Sequence, residues 1–237
     1  MRVAVLSNIH GNIWALEAVL KDIRNRGVDG ILNLGDCLYG PLAPRETAEM
    51  LRAIRIEGVC GDLDRALLSP ARKGERGLMT GFILSLLDET SLAWLAGLPA
   101  WKAGESETFF CHGDPGTGAA GFSIRAEAPA SPRRPERNGR RLIFRGHGRA
   151  FRTSVLADGT TIVCPGSVGL PAHRSDRMLG RFLSAGTPHA RYALLSTRGR
   201  RRDIQSVAVP YPWETAAAAA LDFGRPDWAV WLRSGRA

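Results

Sequence analysis

The start of the chain alternates short apolar runs with amphipathic stretches. Val3–Leu6 and Gly30–Leu34 have the length and apolar character of buried strands, and a third run ends at Gly61. Between the first two runs, apolar residues recur at helical spacing behind a capping Asn12, and another helix is predicted around Glu46–Arg55. The apolar positions of the first predicted helix are Ile13, Leu16, Val19, Leu20 and Ile23. Strands that alternate with helices predict a parallel sheet with right-handed crossovers.

The rest of the chain contains more short apolar runs. Helices are predicted at 76–88 and 89–97, and a terminal helical region follows Pro212. The later strands are separated by short turns such as Asp158-Gly159, which predicts antiparallel pairing. These strands are Glu107–Cys111, Arg141–Arg145, Phe151–Ala157, Thr161–Cys164, Tyr192–Ser196 and Ile204–Val209. Gly116–Gly139 is rich in Gly, Ala, Pro, Ser and Arg and predicts a mobile surface loop.

Polar groups follow several of the predicted strands. In open α/β sheets, ligands bind beyond the carboxyl ends of the strands, so these groups are candidates for one site. They are Asn8, His10, Asp36, Asp62, His112, His147 and Arg149. Imidazole nitrogens and carboxylate oxygens are the ligands that borderline divalent cations prefer. Since three of the chain's five histidines belong to this set, the pattern indicates a metal or phosphate site.

The chain has a formal net charge of +9, which raises the question of an acidic partner. Arginine supplies nearly all of the basic residues, with lysine only at 21, 73 and 102. The densest cluster comprises Arg133, Arg134, Arg137, Arg140 and Arg141. It contains no aromatic residue to stack on bases, so we expect a solvated loop and no nucleic-acid site. A basic rim that attracts a phosphorylated substrate, and nucleic-acid binding itself, stay open as alternatives.

The 237 residues contain no stretch typical of a linker, and we expect residues 1–237 to form a single domain. The amino-terminal apolar run is too short for a signal-peptide core or a membrane span, so we expect a cytoplasmic protein without a membrane. The four irregularly spaced cysteines are interpreted as reduced packing residues. His173 and His189 lie in segments rich in Gly, Pro and Arg and are predicted to be surface residues.

The order of the polar motifs resembles the signature of calcineurin-like metallophosphoesterases. The motifs are Asn8-x-His10-Gly11-Asn12, Gly35-Asp36, Gly61-Asp62-x-Asp64, His112-Gly113, Gly146-His147-x-Arg149 and the turn Pro165-Gly166-Ser167-Val168-Gly169. The likeness continues through Tyr192-Ala193-Leu194-Leu195 and Val209-Pro210-Tyr211, so it covers nearly the whole chain. It implies an α/β (α+β) fold of two packed mixed β-sheets flanked by helices, in four layers. The implied activity is metal-dependent hydrolysis of phosphomonoesters or phosphodiesters.

The resemblance also implies a role for each motif residue. The family's first metal site corresponds here to Asn8, His10, Asp36 and Arg149, and its second to Asp36, Asp62, His112 and His147. An amide is a weaker ligand than a carboxylate and a guanidinium cannot be a ligand, so the first metal is expected to be weak or absent. The second set, with two carboxylates and two imidazoles, is expected to hold one divalent transition metal tightly: Mn, Fe, Zn or Ni.

Arg149 suggests a hypothesis about the altered first site. Its guanidinium could occupy the space of the lost metal and bind phosphate oxygens, with His10 stabilising the same oxygens and Asn8 orienting the substrate or a water. The alternative is simple decay of an unused site. Leu63 stands where some branches of the family carry a histidine that protonates the leaving group, which removes an obvious general acid.

Two functions therefore compete at this stage. The first is an enzyme that hydrolyses a phosphorylated small molecule or a phosphodiester. The second is a catalytically inactive binding or regulatory protein that keeps the fold. Trp213, Trp228 and Trp231, near the end of the chain, could serve either the core or the interface of a homo-oligomer.

Overall fold

The computed structural model describes residues 1–69, 75–105, 107–113, 142–175, 181–199 and 201–237. The strands are β1 (Arg2–Leu6), β2 (Gly30–Asn33), β3 (Glu57–Gly58), β4 (Trp101–Ala103), β5 (Thr108–Cys111), β6 (Leu142–Arg145), β7 (Phe151–Val155), β8 (Thr161–Pro165), β9 (Ala172–Ser175), β10 (Arg181–Ser184), β11 (Ala190–Arg198) and β12 (Arg201–Val209). The helices are α1 (Ile13–Arg26), α2 (Pro44–Ala53), α3 (Asp62–Leu67), α4 (Glu75–Leu86), α5 (Glu89–Ala96), α6 (Trp213–Asp222) and α7 (Pro226–Ser234). The predicted loop Gly116–Gly139 and its arginine cluster lie outside the described residues.

The first sheet is built on the amino-terminal strands. Its order is β12-β11-β1-β2-β3, and β1, β2 and β3 are parallel to one another, as predicted. The strand β11 pairs with β1 in the antiparallel direction and continues into β12. The third strand is shorter than predicted because only Glu57 and Gly58 pair with β2. The chain beyond them turns towards Pro99, whose carbonyl accepts a hydrogen bond from the backbone N–H of Cys60.

The second sheet corrects one prediction. Its order is β4-β5-β6-β8-β7, and β5, β6 and β8 are parallel, although short turns had predicted antiparallel strands throughout. The hairpin through Asp158-Gly159 is present, but its first strand, β7, lies at the edge of the sheet and leaves β8 beside β6. Two five-stranded mixed sheets flanked by helices confirm the predicted fold class.

Alternating side chains divide the apolar core into two parts. In β1, Ala4 and Leu6 belong to a cluster shared with the helices, whereas Val5 belongs to the cluster between the two sheets. Phe110 and Phe144 face the same inter-sheet space from β5 and β6, with ring centroids 5.4 Å apart. Burial on both faces explains why β1 and β5 are apolar along most of their length.

The predicted helices are present, with bounds shifted by a few residues. Asn12 caps α1 by accepting a hydrogen bond from the backbone N–H of Ala15 at 3.1 Å, as predicted. The alanine-rich segment after Pro212 is helix α6, which buries Ala216 and Ala220. Among the described residues, no single helix has the length and apolarity to cross a bilayer; α4 and α5 satisfy the criterion only as a pair bent by 116°. All four cysteines are buried free thiols.

Candidate active site

The ends of β1 and β2 and the turn after β6 hold their functional residues in an unusual backbone conformation. Asn8, His10, Asp36 and His147 have φ angles of 57°, 53°, 57° and 63°. In the described part of the chain, only two further residues other than glycine, Arg55 and Glu107, have positive φ. Left-handed backbone is rare outside glycine and concentrates at functional sites, so this placement marks the strand ends independently of the sequence motifs.

Asp64 holds the loop that carries Asp36. Its carboxylate accepts hydrogen bonds from the backbone N–H groups of Asp36, Cys37 and Gly61 at 2.8, 2.8 and 3.0 Å. The side chain is fully buried, and burial together with the charge of Asp36 raises its pKa to about 6. Asp64 therefore fixes the strand end that presents a candidate metal ligand.

The four side chains predicted to hold the second metal lie close to one another. His112 Nε2 lies 3.2 Å from Asp36 Oδ2 and 3.2 Å from Asp62 Oδ1, and His147 Nδ1 lies 3.9 Å from the same Asp62 oxygen. Potential ligand atoms of Asp62, His112 and His147 all lie within 4.8 Å of one another. Ligand atoms bonded at about 2.1 Å to one ion are separated by about 3–3.5 Å, so the arrangement fits a single divalent cation.

The orientation of His112 supports the same conclusion. Its Nδ1 lies 2.7 Å from the carbonyl oxygen of Leu34, so Nδ1–H donates there and Nε2 faces the carboxylates. This buried Nε2 has no aligned hydrogen-bond partner among the described residues, although two carboxylate oxygens lie near it. A backbone carbonyl that accepts from the other ring nitrogen and so fixes the tautomer is typical of metal-binding histidine.

The four side chains shift one another's pKa values. Burial opposes charge on His112, but Asp36 and Asp62 outweigh it and raise the pKa of the imidazole well above its usual range. Burial would raise the pKa values of both carboxyls, yet contacts with His112 dominate and lower them. Burial and the neighbouring His112 lower the pKa of His147 to about 4. Two ionised carboxylates with a neutral His147 form a ligand set suited to a cation.

Two glycines allow this convergence. A Cβ on Gly61 would lie 2.2 Å from Asp36 Oδ1, and a Cβ on Gly146 would lie 2.7 Å from His112 Nδ1. Any side chain at either position would push a candidate ligand out of place.

Arg149 lies beside the metal group in a different environment. The residue is 5% exposed, and its Nη1 donates to His10 Nε2 at 2.7 Å. His10 Nδ1 lies 2.8 Å from the carbonyl oxygen of Tyr39, so both ring nitrogens of His10 are engaged. Burial, and then the charge of Arg149, lower the pKa of His10 to about 3, which makes it a neutral acceptor. The structure thus places His10 with Arg149 and apart from the Asp62–His112–His147 group.

Asn8 completes this side of the site. Its Nδ2 donates to the carbonyl oxygen of Gly148 at 3.1 Å, and its buried Oδ1 has no partner among the described residues. The turn after β8 supports the same loop, because Ser167 Oγ donates to the carbonyl oxygen of Asn8 at 3.0 Å. The backbone N–H of Gly169 donates to that oxygen as well, at 2.9 Å.

Two residues at the site, His173 and Trp228, were not assigned to it from the sequence. His173, predicted to lie at the surface, is instead half-buried on β9, and its Nδ1 accepts a hydrogen bond from Arg149 Nε at 3.3 Å. Trp228 of α7 packs edge-on against the ring of His10, with centroids 6.0 Å apart. Neither residue belongs to a spaced motif; the only available signal was the general rarity of histidine and tryptophan.

Comparison with known proteins agrees with the fold. A calcineurin-like phosphoesterase superfamily domain matches residues 1–183. The crystal structure of a metallophosphoesterase from Sphaerobacter thermophilus is similar at 25% identity over 98% of each chain, with a TM-score of 0.73. The hypothetical protein PH1004 from Pyrococcus horikoshii has the same fold, with 18% identity over 99% of this chain and 98% of that one and a TM-score of 0.76.

The similarity to a further relative covers a smaller part of the chain. The uncharacterized protein MJ0912 from Methanocaldococcus jannaschii is 42% identical over 66 residues, which span 28% of this chain and 27% of that protein's length. The family match covers well over half of the chain and includes every residue of the candidate site except Trp228, which lies on the terminal helix α7. The chain therefore belongs to the calcineurin-like phosphoesterase superfamily.

Proposed function

We propose that this chain hydrolyses a phosphate ester with one tightly bound divalent cation and with Arg149 in the place of a second. The proposal rests on the burial and the contacts of Arg149. Its guanidinium is buried, its contacts are the two neutral imidazoles of His10 and His173, and no carboxylate of the described residues lies within ion-pair distance. Asp36 and Asp62 attract the guanidinium only from beyond contact distance, and burial still lowers its pKa to about 10, so this arrangement favours a further anionic ligand.

The cation would be held by Asp36, Asp62, His112 and His147. When bound, a divalent cation there supplies Lewis-acid activation of a water and of a phosphoryl oxygen. A His and carboxylate set suits Mn, Fe, Zn or Ni.

The chain's own residues would bind and orient the substrate. Arg149 Nη2 has no acceptor among the described residues, so its N–H groups can donate to phosphoryl oxygens. His10 holds the guanidinium in place through Nε2, and the backbone carbonyl of Tyr39 fixes the orientation of His10. The buried Oδ1 of Asn8 can accept a hydrogen bond from a water in the site. Fixed donors directed at developing phosphoryl charge are a main source of rate enhancement in such transfers.

Metal content per chain, measured by plasma mass spectrometry, is the first test. The same sample is assayed with bis-p-nitrophenyl phosphate and p-nitrophenyl phosphate, which separate phosphodiester from phosphomonoester hydrolysis. We expect close to one metal per chain together with turnover. Two metals per chain would show that Asn8 and Arg149 still permit a dinuclear site, and the role assigned to Arg149 would be wrong.

The alternative is a binding or regulatory protein without turnover. It is favoured by the engagement of both His10 nitrogens and by Leu63, which offers no proton to a leaving group. This alternative predicts no hydrolysis after reconstitution with Mn, Ni, Co, Zn or Fe. It also predicts that the double variant Asn8→Asp with Arg149→His gains activity, whereas the enzyme proposal predicts that the wild type is active without it.

A further inference from the structure

The strand β9 brings a histidine to Arg149 from a distant part of the chain. His173 pairs with Leu183 of β10, and its Nδ1 lies 3.3 Å from Arg149 Nε. His10 accepts from Nη1 of the same guanidinium at 2.7 Å. Two imidazoles therefore hold two of the three guanidinium nitrogens and fix the plane of the group.

The contact also fixes the tautomer of His173. Arginine nitrogens only donate hydrogen bonds, so Nδ1 of His173 must carry the lone pair, and the proton of the neutral ring lies on Nε2. A protonated ring would set an N–H of His173 against an N–H of Arg149. Burial and the charge of Arg149 lower the pKa of His173 well below its usual range, which agrees with a neutral ring.

This geometry leaves two donors in one neighbourhood. Within the described ranges, neither His173 Nε2 nor Arg149 Nη2 has a hydrogen-bond acceptor. Neither atom is among the fully buried side-chain atoms that lack a partner. His173 also lies within electrostatic reach of His147 and Asp36, at the edge of the metal group. Donors without acceptors, beside a guanidinium and a cation site, match the oxygens of a phosphoryl group.

We propose that His173 is a substrate-binding residue whose Nε2–H donates to an oxygen of the bound phosphoryl group, next to the oxygens held by Arg149. The proposal rests on the proposed function, because it places the phosphoryl group at Arg149. It adds a contact from the β9–β10 hairpin, which lies outside the motifs that the sequence identified.

The test is the affinity for inorganic phosphate, measured by isothermal titration calorimetry on the purified full chain of known metal content. The variants are His173→Phe, which removes both nitrogens, and His173→Gln, whose amide can both accept from Arg149 and donate to phosphate. The matched control is His189→Phe, since His189 is half-buried against Trp213 and contacts no residue of the site among those described. Circular dichroism and thermal unfolding confirm that each variant is folded.

We expect His173→Phe to weaken phosphate binding about tenfold, the effect of losing one hydrogen bond to a charged group. His173→Gln should recover most of the affinity, and His189→Phe should bind within about twofold of the wild type. Phosphate binding unchanged in His173→Phe would overturn the proposal, as would equal losses in the Phe and Gln variants or a wild type that does not bind phosphate. The titration requires no turnover, so an inactive wild type that still binds phosphate through His173 would refute the proposed hydrolysis and leave this inference standing.

Discussion

Replacing Arg149 with methionine should show whether the charge of Arg149 serves substrate binding or the stability of the fold. The substitution keeps an unbranched side chain in the buried space and removes the guanidinium. If Arg149 serves an anionic substrate, its loss should abolish most of the activity while leaving stability nearly unchanged. A structural buried ion pair behaves differently, because removing one partner typically costs about 3–5 kcal/mol.

The expected stability change follows from the surroundings of the guanidinium. Burial lowers the pKa of Arg149 from 12.5 to about 10, which means that the folded site disfavours the charged form by about 3 kcal/mol. Methionine removes this unfavourable term. It also removes the hydrogen bonds to His10 and His173, each worth about 1.5 kcal/mol because the donor is charged. The effects nearly cancel, and we expect a free energy of unfolding within about 1 kcal/mol of the wild type.

Urea denaturation, with and without inorganic phosphate, measures this directly. Phosphate at a hundredfold excess over its Kd should stabilise the wild type by about 2.7 kcal/mol and should stabilise the variant much less. Turnover of the model phosphoester should fall by at least about 100-fold, the effect of removing one donor directed at developing charge. Arg152→Met, on the exposed face of β7, controls for the change in net charge.

A loss of about 3 kcal/mol or more in the free energy of unfolding would show that Arg149 has a structural partner. The assignment of its charge to substrate binding would then be wrong. Turnover close to that of the wild type in a folded Arg149→Met protein would refute it equally.

Three further predictions concern other parts of the molecule. Asp62→Ala should lower the metal content per chain at least tenfold by plasma mass spectrometry, whereas Asp203→Ala, on the exposed edge of β12, should leave it unchanged. Trp228→Ala should lower the free energy of unfolding by about 3–5 kcal/mol in urea, because the ring is 5% exposed and packs on His10, and Trp228→Phe should lower it less. Ellman's reagent should leave the native thiols unmodified and titrate four per chain in guanidinium, since all are buried and burial raises the pKa of Cys60 to about 11; a rapidly reacting native thiol would contradict this.

The sequence predicted the position of a polar residue well where that residue directly follows its own strand. Alternation of apolar side chains located β1 and β2, and the polar residues directly after them turned out to lie at one edge of the sheet. Asp36, Asp62, His112 and His147 could be grouped before their distances were known only through the resemblance to the family's motifs, since the strands before His112 and His147 were not predicted to be parallel.

The remaining features depend on contacts between distant segments. His173 reaches Arg149 only because β9 and β10 form a separate hairpin, and no spacing in the sequence predicts where a hairpin docks. Trp228 is brought against His10 by the packing of the last helix. The parallel pairing of β6 with β8 was missed for a related reason, since a short turn specifies a hairpin but not the neighbour on its other side.

The left-handed backbone conformations at the site bear on whether the altered site is still in use. Asn8, His10 and Asp36 are held in left-handed conformations, each of which costs on the order of 1–3 kcal/mol. Hydrogen bonds between the two loops maintain them: the N–H of Asn8 donates to the carbonyl of Gly35 at 2.9 Å, and that of His10 to the carbonyl of Asp36 at 3.0 Å. Ordinary loops at these strand ends would avoid the strain. Its presence beneath Asn8 and Arg149, where two ligands of the family pattern are replaced, supports the proposal that Arg149 serves a working anion site and argues against a site that has only decayed.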